Sequence, residues 1–281
     1  MEMRTDSPVW LDEFHPNFTR WQRARELSIE RGKLVHSIIN RVVKAEGLKI
    51  LDLGSGEGGT TKVFLKNNFV VSFDLSYNRL QRQKNYPGFA IGMTGMKFVN
   101  GNTLHLPFLE KFFDLIIIQD VIEHLTDIQV FYEEIKRVLK QNGTIYLGTP
   151  NKLSIFNFIS DPHFGLPVIS ILKRNTIKKY FLRYFRKKDY YRKDIAQLLS
   201  LKEITKLFGN DFKVRLNSKF VISELIKGNK GIVWSNFHLK LINLVKSIRL
   251  DYLLNKISND KPGIVNKIFT PTFYLLLTRK I

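Results

Sequence analysis

The chain has no cysteine among its 281 residues. Disulfides, thiolate nucleophiles and cysteine-based zinc sites are therefore excluded. No apolar run approaches the roughly 18 residues that a membrane-spanning helix needs; the stretches 164–172 and 273–277 are too short. The opening residues, Met1-Glu-Met-Arg-Thr-Asp6, carry no apolar signal core. Acids are scarce: 25 Asp and Glu stand against 45 Lys and Arg, a net charge of +20. Such an excess draws anionic partners such as nucleic acid, acidic lipid surfaces or phosphorylated small molecules. Lys, Ile and Asn are abundant throughout, so a background compositional bias is the alternative reading of the charge. Hydrophobic residues make up 44%, enough for a packed globule. There is no internal repeat and no linker long enough to separate independent domains. The expectation is a cytoplasmic protein, with peripheral attachment at the inner face of the membrane as the alternative.

What is present is concentrated in Lys49-Ile-Leu-Asp-Leu-Gly-Ser-Gly-Glu-Gly-Gly59. A hydrophobic run ends in Asp52, and glycines follow at 54, 56, 58 and 59. This reads as a buried parallel strand turning sharply into a helix, with bare main chain offered to a ligand. The spacing Gly54-x-Gly56-x-x-Gly59 also satisfies the dinucleotide fingerprint, a weak signal alone. The next apolar run, 69–75, reaches Asp74, a carboxylate placed to accept both hydroxyls of a ribose. A tight turn with no ligand is the bland alternative.

Three later stretches separate the cofactors. They are Gly101-Asn-Thr-Leu-His-Leu-Pro-Phe108, then Phe113-Asp-Leu-Ile-Ile-Ile-Gln-Asp-Val-Ile-Glu-His-Leu125, then Arg137-Val-Leu-Lys-Gln-Asn-Gly-Thr-Ile-Tyr-Leu-Gly-Thr-Pro-Asn151. With the glycine loop, the chain resembles the class I S-adenosylmethionine-dependent methyltransferases over about 47–151 plus a terminal strand. The likeness is to the branch with D-V-I-E-H-L and T-P-N segments. The resemblance implies that the loop from Asp52 through Gly54, Ser55, Gly56 and Gly58 holds the amino-acid part of S-adenosylmethionine. It implies that Asp74 binds the ribose with Leu75 beside the adenine, and that Asn102 and Thr103 face the adenine edge. Gln119 and Asp120 would border the sulfonium. The family usually has Asp where this chain has Asn102; an amide oxygen accepts more weakly than a carboxylate, so binding of altered strength is expected.

The pattern from 47 onward alternates strand and helix, which implies an α/β fold with a doubly wound parallel sheet. Together with the resemblance this gives a seven-stranded Rossmann-like methyltransferase sheet with helical insertions. Strands are expected near 49–53, 69–74, 96–99, 113–118 and 143–148. An amphipathic helix carries Val121, Ile122, Leu125, Val130, Phe131, Ile135, Val138 and Leu139. Residues 1–46 read as an N-terminal helical extension, apolar at Leu27, Ile29, Leu34, Ile38 and Val42, either a lid at the cofactor mouth or a cover for one sheet face. The core spans 47–151; insertions follow at 152–193 and 221–268, with a helix near 192–208 and a strand near 212–216 between them. The last strand, 271–280, returns to the sheet, and the family's final hairpin would set it antiparallel between the fifth and sixth strands. All of this makes one domain over 1–281.

Methyl transfer to a hydroxyl needs alignment, exclusion of water and a base. His163, in the turn Asp161-Pro-His-Phe-Gly-Leu-Pro167, is a candidate base oriented by Asp161. His124 and Asp120 are further candidates. Some relatives bind a divalent metal with a similar E-x-x-E-H set, which makes Asp120, Glu123 and His124 a candidate metal shell that His163 could complete; helix capping and packing is the alternative. His105, beside the adenine segment, is expected to be structural.

On the acceptor side, 172–193 holds ten Lys or Arg against Asp189, with Tyr180, Phe181, Tyr184, Phe185, Tyr190 and Tyr191 interleaved. An amphipathic helix on an anionic membrane, a nucleic-acid groove, and a solvated face whose aromatics fill a cap compete for it. The second insertion offers a wide apolar face of Phe237, Leu239, Leu241, Ile242, Leu244, Val245, Ile248 and Leu250. So much apolar surface suits a bulky acceptor: a lipid-linked sugar, a quinone-like ring or an isoprenoid-bearing intermediate. The leading expectation is O-methylation of a small or lipid-linked acceptor. The alternatives are an RNA-directed methyltransferase, a basic RNA- or membrane-binding adaptor on the same fold, and an NAD-dependent oxidoreductase.

Overall fold

A computed structural model describes residues 13–85, 95–192, 194–232 and 236–280. Helices α1 (Phe18–Glu26) and α2 (Ser28–Ile39) precede strand β1 (Lys49–Leu53). Then come α3 (Gly59–Phe64), β2 (Phe69–Asp74), α4 (Tyr77–Lys84), β3 (Met96–Asn100), β4 (Phe113–Gln119), α5 (Ile128–Val138) and β5 (Leu139–Pro150). The first insertion contains α6 (Ile155–Ile159), α7 (Arg174–Thr176), a π-helical stretch (Ile177–Leu182), α8 (Arg183–Phe185) and α9 (Lys187–Tyr190). After α10 (Leu201–Phe208) and β6 (Phe212–Leu216), the second insertion holds α11 (Ser218–Ile226), α12 (Asn236–Ser247), α13 (Leu250–Ile257) and a π-helical turn (Val265–Phe269), before β7 (Thr272–Arg279).

The seven strands form one sheet in the order β3-β2-β1-β4-β5-β7-β6. Strands β1 to β5 pair in parallel, and β7 runs antiparallel to both β5 and β6. The final strand therefore sits between the fifth and sixth, as the resemblance implied. Alternation along the buried strands feeds two cores. Leu51, Leu53, Ile116 and Ile118 face α5 and α10, while Ile50, Leu115 and Ile117 face α2 and α3. With side chains buried on both faces, the central strands read in sequence as unbroken apolar runs. The order reverses direction between β1 and β4, so the crevice at their carboxyl ends is the expected ligand position.

The structure moves several boundaries. The helix expected from Val121 begins only at Ile128, because the Asp127 side chain caps it by accepting from the Val130 N–H. Val121 to Leu125 instead lie around a short 3-10 turn, Ile122–His124, and Val130 is exposed. The helix expected from 192 starts at Leu201, where Ser200 and Glu203 form a capping box. Strand β5 is longer than 143–148 and irregular at its start, with a register shift opposite Phe113 and Leu115. The N-terminal extension breaks at Leu27 into two helices; Val42 is exposed and Ile29 only half-buried. Helix α2 covers a sheet face with Leu34, Val35, Ile38 and Ile39. It also crosses α3 in backbone contact, since a Cβ on Gly32 would lie 2.7 Å from the Gly59 carbonyl oxygen. Of the second insertion's expected apolar face, Phe237, Leu239, Leu241 and Ile242 lie outside the described side chains, and Leu244, Ile248 and Leu250 are exposed.

Candidate active site

The glycine loop leaves β1 with Gly54, Gly56 and Gly58 all at positive φ. Gly54 is the tightest, for a Cβ there would meet Val121 Cγ2 at 2.3 Å. Its N–H and that of Ser55 both donate to the Phe73 carbonyl, so β2 clamps the turn. Asp74 Oδ2 accepts from the Gly56 N–H at 2.9 Å and Oδ1 from the Ser76 N–H at 2.7 Å. Asp74 thus holds the loop to the end of β2. Leu75 beside it is 74% exposed, an apolar platform open to a ligand.

Two residues absent from the sequence expectation complete the cradle. Gln83 on α4 donates to the Gly56 carbonyl at 2.7 Å and to the Ser55 hydroxyl at 3.0 Å. The buried Ser72 hydroxyl lies 2.7 Å from both Ser55 Oγ and Gln83 Oε1. Neither belongs to a motif, and only the fold brings α4 against the loop. Asp52 points into the protein: the Thr61 hydroxyl donates to it at 2.5 Å, and burial pushes its carboxyl up to about 6.

The 101–108 segment lies beyond β3. Asn102 is exposed, with its Oδ1 accepting from the Leu104 N–H, and Thr103 is buried. Arg137 secures this segment by donating to the carbonyls of Leu106 and Phe108 while paired with Glu134. His105 is exposed on the same turn.

At the end of β4, Gln119 Oε1 is buried and makes no hydrogen bond. Asp120 follows with φ +54 and pairs with Arg31 of α2. The guanidinium faces Tyr146 and Tyr274 as well as Asp120. Sequence reasoning missed Arg31, because nothing local marks one arginine on a basic helix.

Three sequence candidates meet on the acceptor side. The ligand atoms of Glu123, His124 and His163 lie within 4.8 Å of one another, while Asp120 is held apart by Arg31. Glu123 is buried; Thr149 donates to its Oε2 at 3.0 Å, and its Oε1 makes no hydrogen bond but lies 3.7 Å from His163 Nε2. Burial, reinforced by Asp120, holds its carboxyl well above the usual range. His124 Nδ1 lies 2.8 Å from the Asp194 carbonyl oxygen. A carbonyl only accepts, so Nδ1 carries the hydrogen and the neutral ring keeps its lone pair on Nε2. Burial lowers the His124 pKa, which favours that neutral form. The His124 and His163 rings meet edge to face with centroids 4.9 Å apart. The His163 turn is fixed by Asp161, whose Oδ1 accepts from the N–H groups of His163 and Phe164, and by Asn17, which donates to the His163 carbonyl. The arrangement offers two imidazoles and a carboxyl group for proton transfer, or three ligands for a divalent cation.

Residues 51–147 match the family described as "Methyltransferase domain". This stretch belongs to the class I, S-adenosylmethionine-dependent methyltransferases. A sterol 24-C-methyltransferase of Pneumocystis carinii is 31% identical over 137 residues, 48% of this chain and 36% of the relative. A demethylmenaquinone methyltransferase of Thermobifida fusca is 29% identical over 125 residues, covering 44% and 52% of the two chains. The chain therefore spans about a third to a half of the length of these relatives. Among solved structures, that of the plantazolicin methyltransferase BpumL, in complex with SAH, superposes with a TM-score of 0.55 at 14% identity, covering 97% of this chain and 93% of the other. That likeness is one of fold. Among the described residues no helix is long and apolar enough to cross a membrane.

Proposed function

We propose that the chain works as a single S-adenosylmethionine-dependent methyltransferase domain, built on a 47–151 core, that methylates a hydroxyl on a small or lipid-linked acceptor. The observation that carries the reading is the pairing of a glycine cradle after β1 with the Glu123, His124 and His163 cluster that follows β4. When bound, S-adenosylmethionine supplies a methyl group already activated on a sulfonium. The residues fit it: three positive-φ glycines expose backbone, Leu75 offers an apolar platform, and the buried Gln119 Oε1 has an unused acceptor. Ser55 and Gly54 to Gly58 would hold its amino-acid end, with Asp52 supporting the loop from inside through Thr61, Asp74 at the ribose and Asn102 and Thr103 at the adenine. Arg31, a cation at the same mouth, suits the carboxylate of that end and sets Asp120 beside it.

His124 Nε2, with His163 beside it, takes the proton of the acceptor hydroxyl as its oxygen becomes the nucleophile. Glu123 below them, kept protonated by burial, adds no negative charge that would hold the imidazoles protonated. A second reading rests on the same trio: Glu123, His124 and His163 fit a divalent cation, since His124 already donates its other nitrogen to a carbonyl. Dependence of turnover on added Mg²⁺ or Mn²⁺ after chelation separates the two. The apolar supply of the insertions and the lipid-directed names of the relatives support a sugar, quinone-like or isoprenoid-bearing acceptor, with the protein peripheral to a membrane. An RNA-directed enzyme or a non-enzymatic adaptor is the competing reading of the same charge. The deciding experiment is calorimetric titration with S-adenosylhomocysteine and with NAD. Micromolar binding of the first and none of the second is expected, and heat from NAD alone would overturn the proposal.

A further inference from the structure

The described part of the basic segment divides into two kinds of cation. Arg174, Arg186 and Arg192 are used internally. Arg174 donates to the carbonyls of Leu125 and Ile195, Arg186 to that of Phe164, and Arg192 pairs with Asp189 and Asp194. The segment's acid, Asp189, is buried between Arg192 and His15. Inward apolar residues Ile177 and Leu182 join Phe164, Ile169 and Ile195 in a small core over the site. Exposed to solvent are Lys173, Lys179, Arg183 and Lys187, interleaved with exposed Tyr180, Tyr184 and Phe185.

The neighbouring surface is apolar. Helix α6 lies in the uncharged run Leu153-Ser-Ile-Phe-Asn-Phe-Ile-Ser160, and Phe156, Phe158 and Ile159 are exposed, Ile159 at 63%. Asn151, fully buried, locks this helix to the second insertion. Its Nδ2 donates to the carbonyls of Lys267 and Thr270, and its own carbonyl accepts from Asn157 on α6. The turn packed against α6 adds exposed Ile264 (68%) and Phe269 (55%), with Lys261 and Lys267 exposed beside them. Two insertions far apart in sequence therefore meet in one exposed apolar surface, each with exposed lysines in its own sequence, and the His163 turn follows α6.

We propose that this surface, formed by α6, the turn Val265–Phe269 and the basic 173–188 helices, docks on an anionic lipid bilayer and sets the candidate site at the headgroup level. It deepens the lipid-linked reading of the acceptor, on which it rests, by naming the partner and the face. Charge complementarity and residue type choose the occupant. Lysines with interleaved tyrosines suit an acidic headgroup layer, and aliphatic Ile159 and Ile264 gain by entering acyl chains. A nucleic acid would satisfy the cations and stack on the tyrosines but has no use for exposed isoleucines.

The test uses the whole chain in co-sedimentation with phosphatidylcholine vesicles, with and without phosphatidylglycerol, and poly(U) as competitor. At low salt the protein is expected in the pellet only with phosphatidylglycerol present. The pair Phe156→Ser and Ile159→Ser should weaken binding about tenfold or more. The triple Lys179→Glu, Arg183→Glu and Lys187→Glu should weaken it about a hundredfold, near one factor of five per cation. Both variants should keep the wild-type affinity for S-adenosylhomocysteine, which shows that they fold. No pelleting of wild type, wild-type binding by both variants, or displacement by poly(U) with no effect of the serine pair would overturn the docking surface. Wild-type binding to vesicles without any binding of S-adenosylhomocysteine would instead sink the methyltransferase reading and leave the surface standing.

Discussion

The two sides of the crevice are built on different principles. On the proposed cofactor side, between β1, β2 and β4, the parts that would face the ligand are largely main chain. Gln83, Asp74 and Arg137 fix that main chain through short hydrogen bonds, and Ser72 holds the Gln83 side chain in place. On the acceptor side the parts are side chains, carried on loops and short helices and cross-linked by buried asparagines. Asn17 holds the His163 turn, Asn151 joins the insertions, and Asn266 donates to the carbonyls of Asn259 and Lys261. A backbone cradle tolerates little change, because any added atom fills the ligand's space. A side-chain constellation on irregular elements can exchange its acceptor while keeping its chemistry.

This contrast is open to breaking, beginning with its strongest consequence. Gly54→Val should abolish S-adenosylhomocysteine binding in calorimetry and lower the melting temperature, since the Cβ collides with Val121 in a left-handed backbone. Binding within threefold of wild type would show that the loop is no cradle. On the other side, His124→Ala and His163→Ala should each reduce kcat by about 10²- to 10⁴-fold with the cofactor Kd unchanged. In wild type, kcat should fall as acid protonates the His124 imidazole, below the ordinary histidine range because burial lowers its pKa. A cofactor Kd that moves with kcat would merge the two sides.

A smaller effect is expected for Asn151→Ala, which deprives buried carbonyls of their donor. It should cost about 3 kcal/mol in denaturant unfolding and loosen hydrogen exchange in α6 and in the turn Val265–Phe269 together. Exchange that changes in one but not the other would mean that the asparagine does not join them. The subtlest test concerns Asp52. Its folded pKa is raised to about 6, so its contribution to stability is complete below the unfolded value near 3.9 and is lost as pH rises through about 6. Asp52→Asn keeps an acceptor for Thr61 and should remove up to about 3 kcal/mol of that pH dependence. An unchanged slope of unfolding free energy between pH 4 and pH 7 would refute the burial cost.

The cofactor side was the more legible in sequence because its determinants are local. A run of β residues, glycines at fixed spacing and an acid at the end of the next strand lie within about one βαβ unit. Arg31 and Gln83 were not legible, for each reaches the site from a neighbouring helix whose own sequence says only that it is a helix. The start of α5 was misread because Val121, Ile122 and Leu125 continue its apolar period, while the capping Asp127 decides where the helix begins. The roles of 172–193 could not be sorted either, since inward and outward arginines are the same letter.

The sequence by itself therefore determined the order of strands and helices, the glycine turn and the class of ligand that such a turn suits, because periodicity and backbone freedom are properties of short stretches. Only the tertiary structure decided that Glu123 joins His124 and His163 while Asp120 turns to Arg31, and that two distant insertions share one exposed surface. Those pairings depend on which buried groups find partners across the fold, and burial is set by the packing of the whole chain.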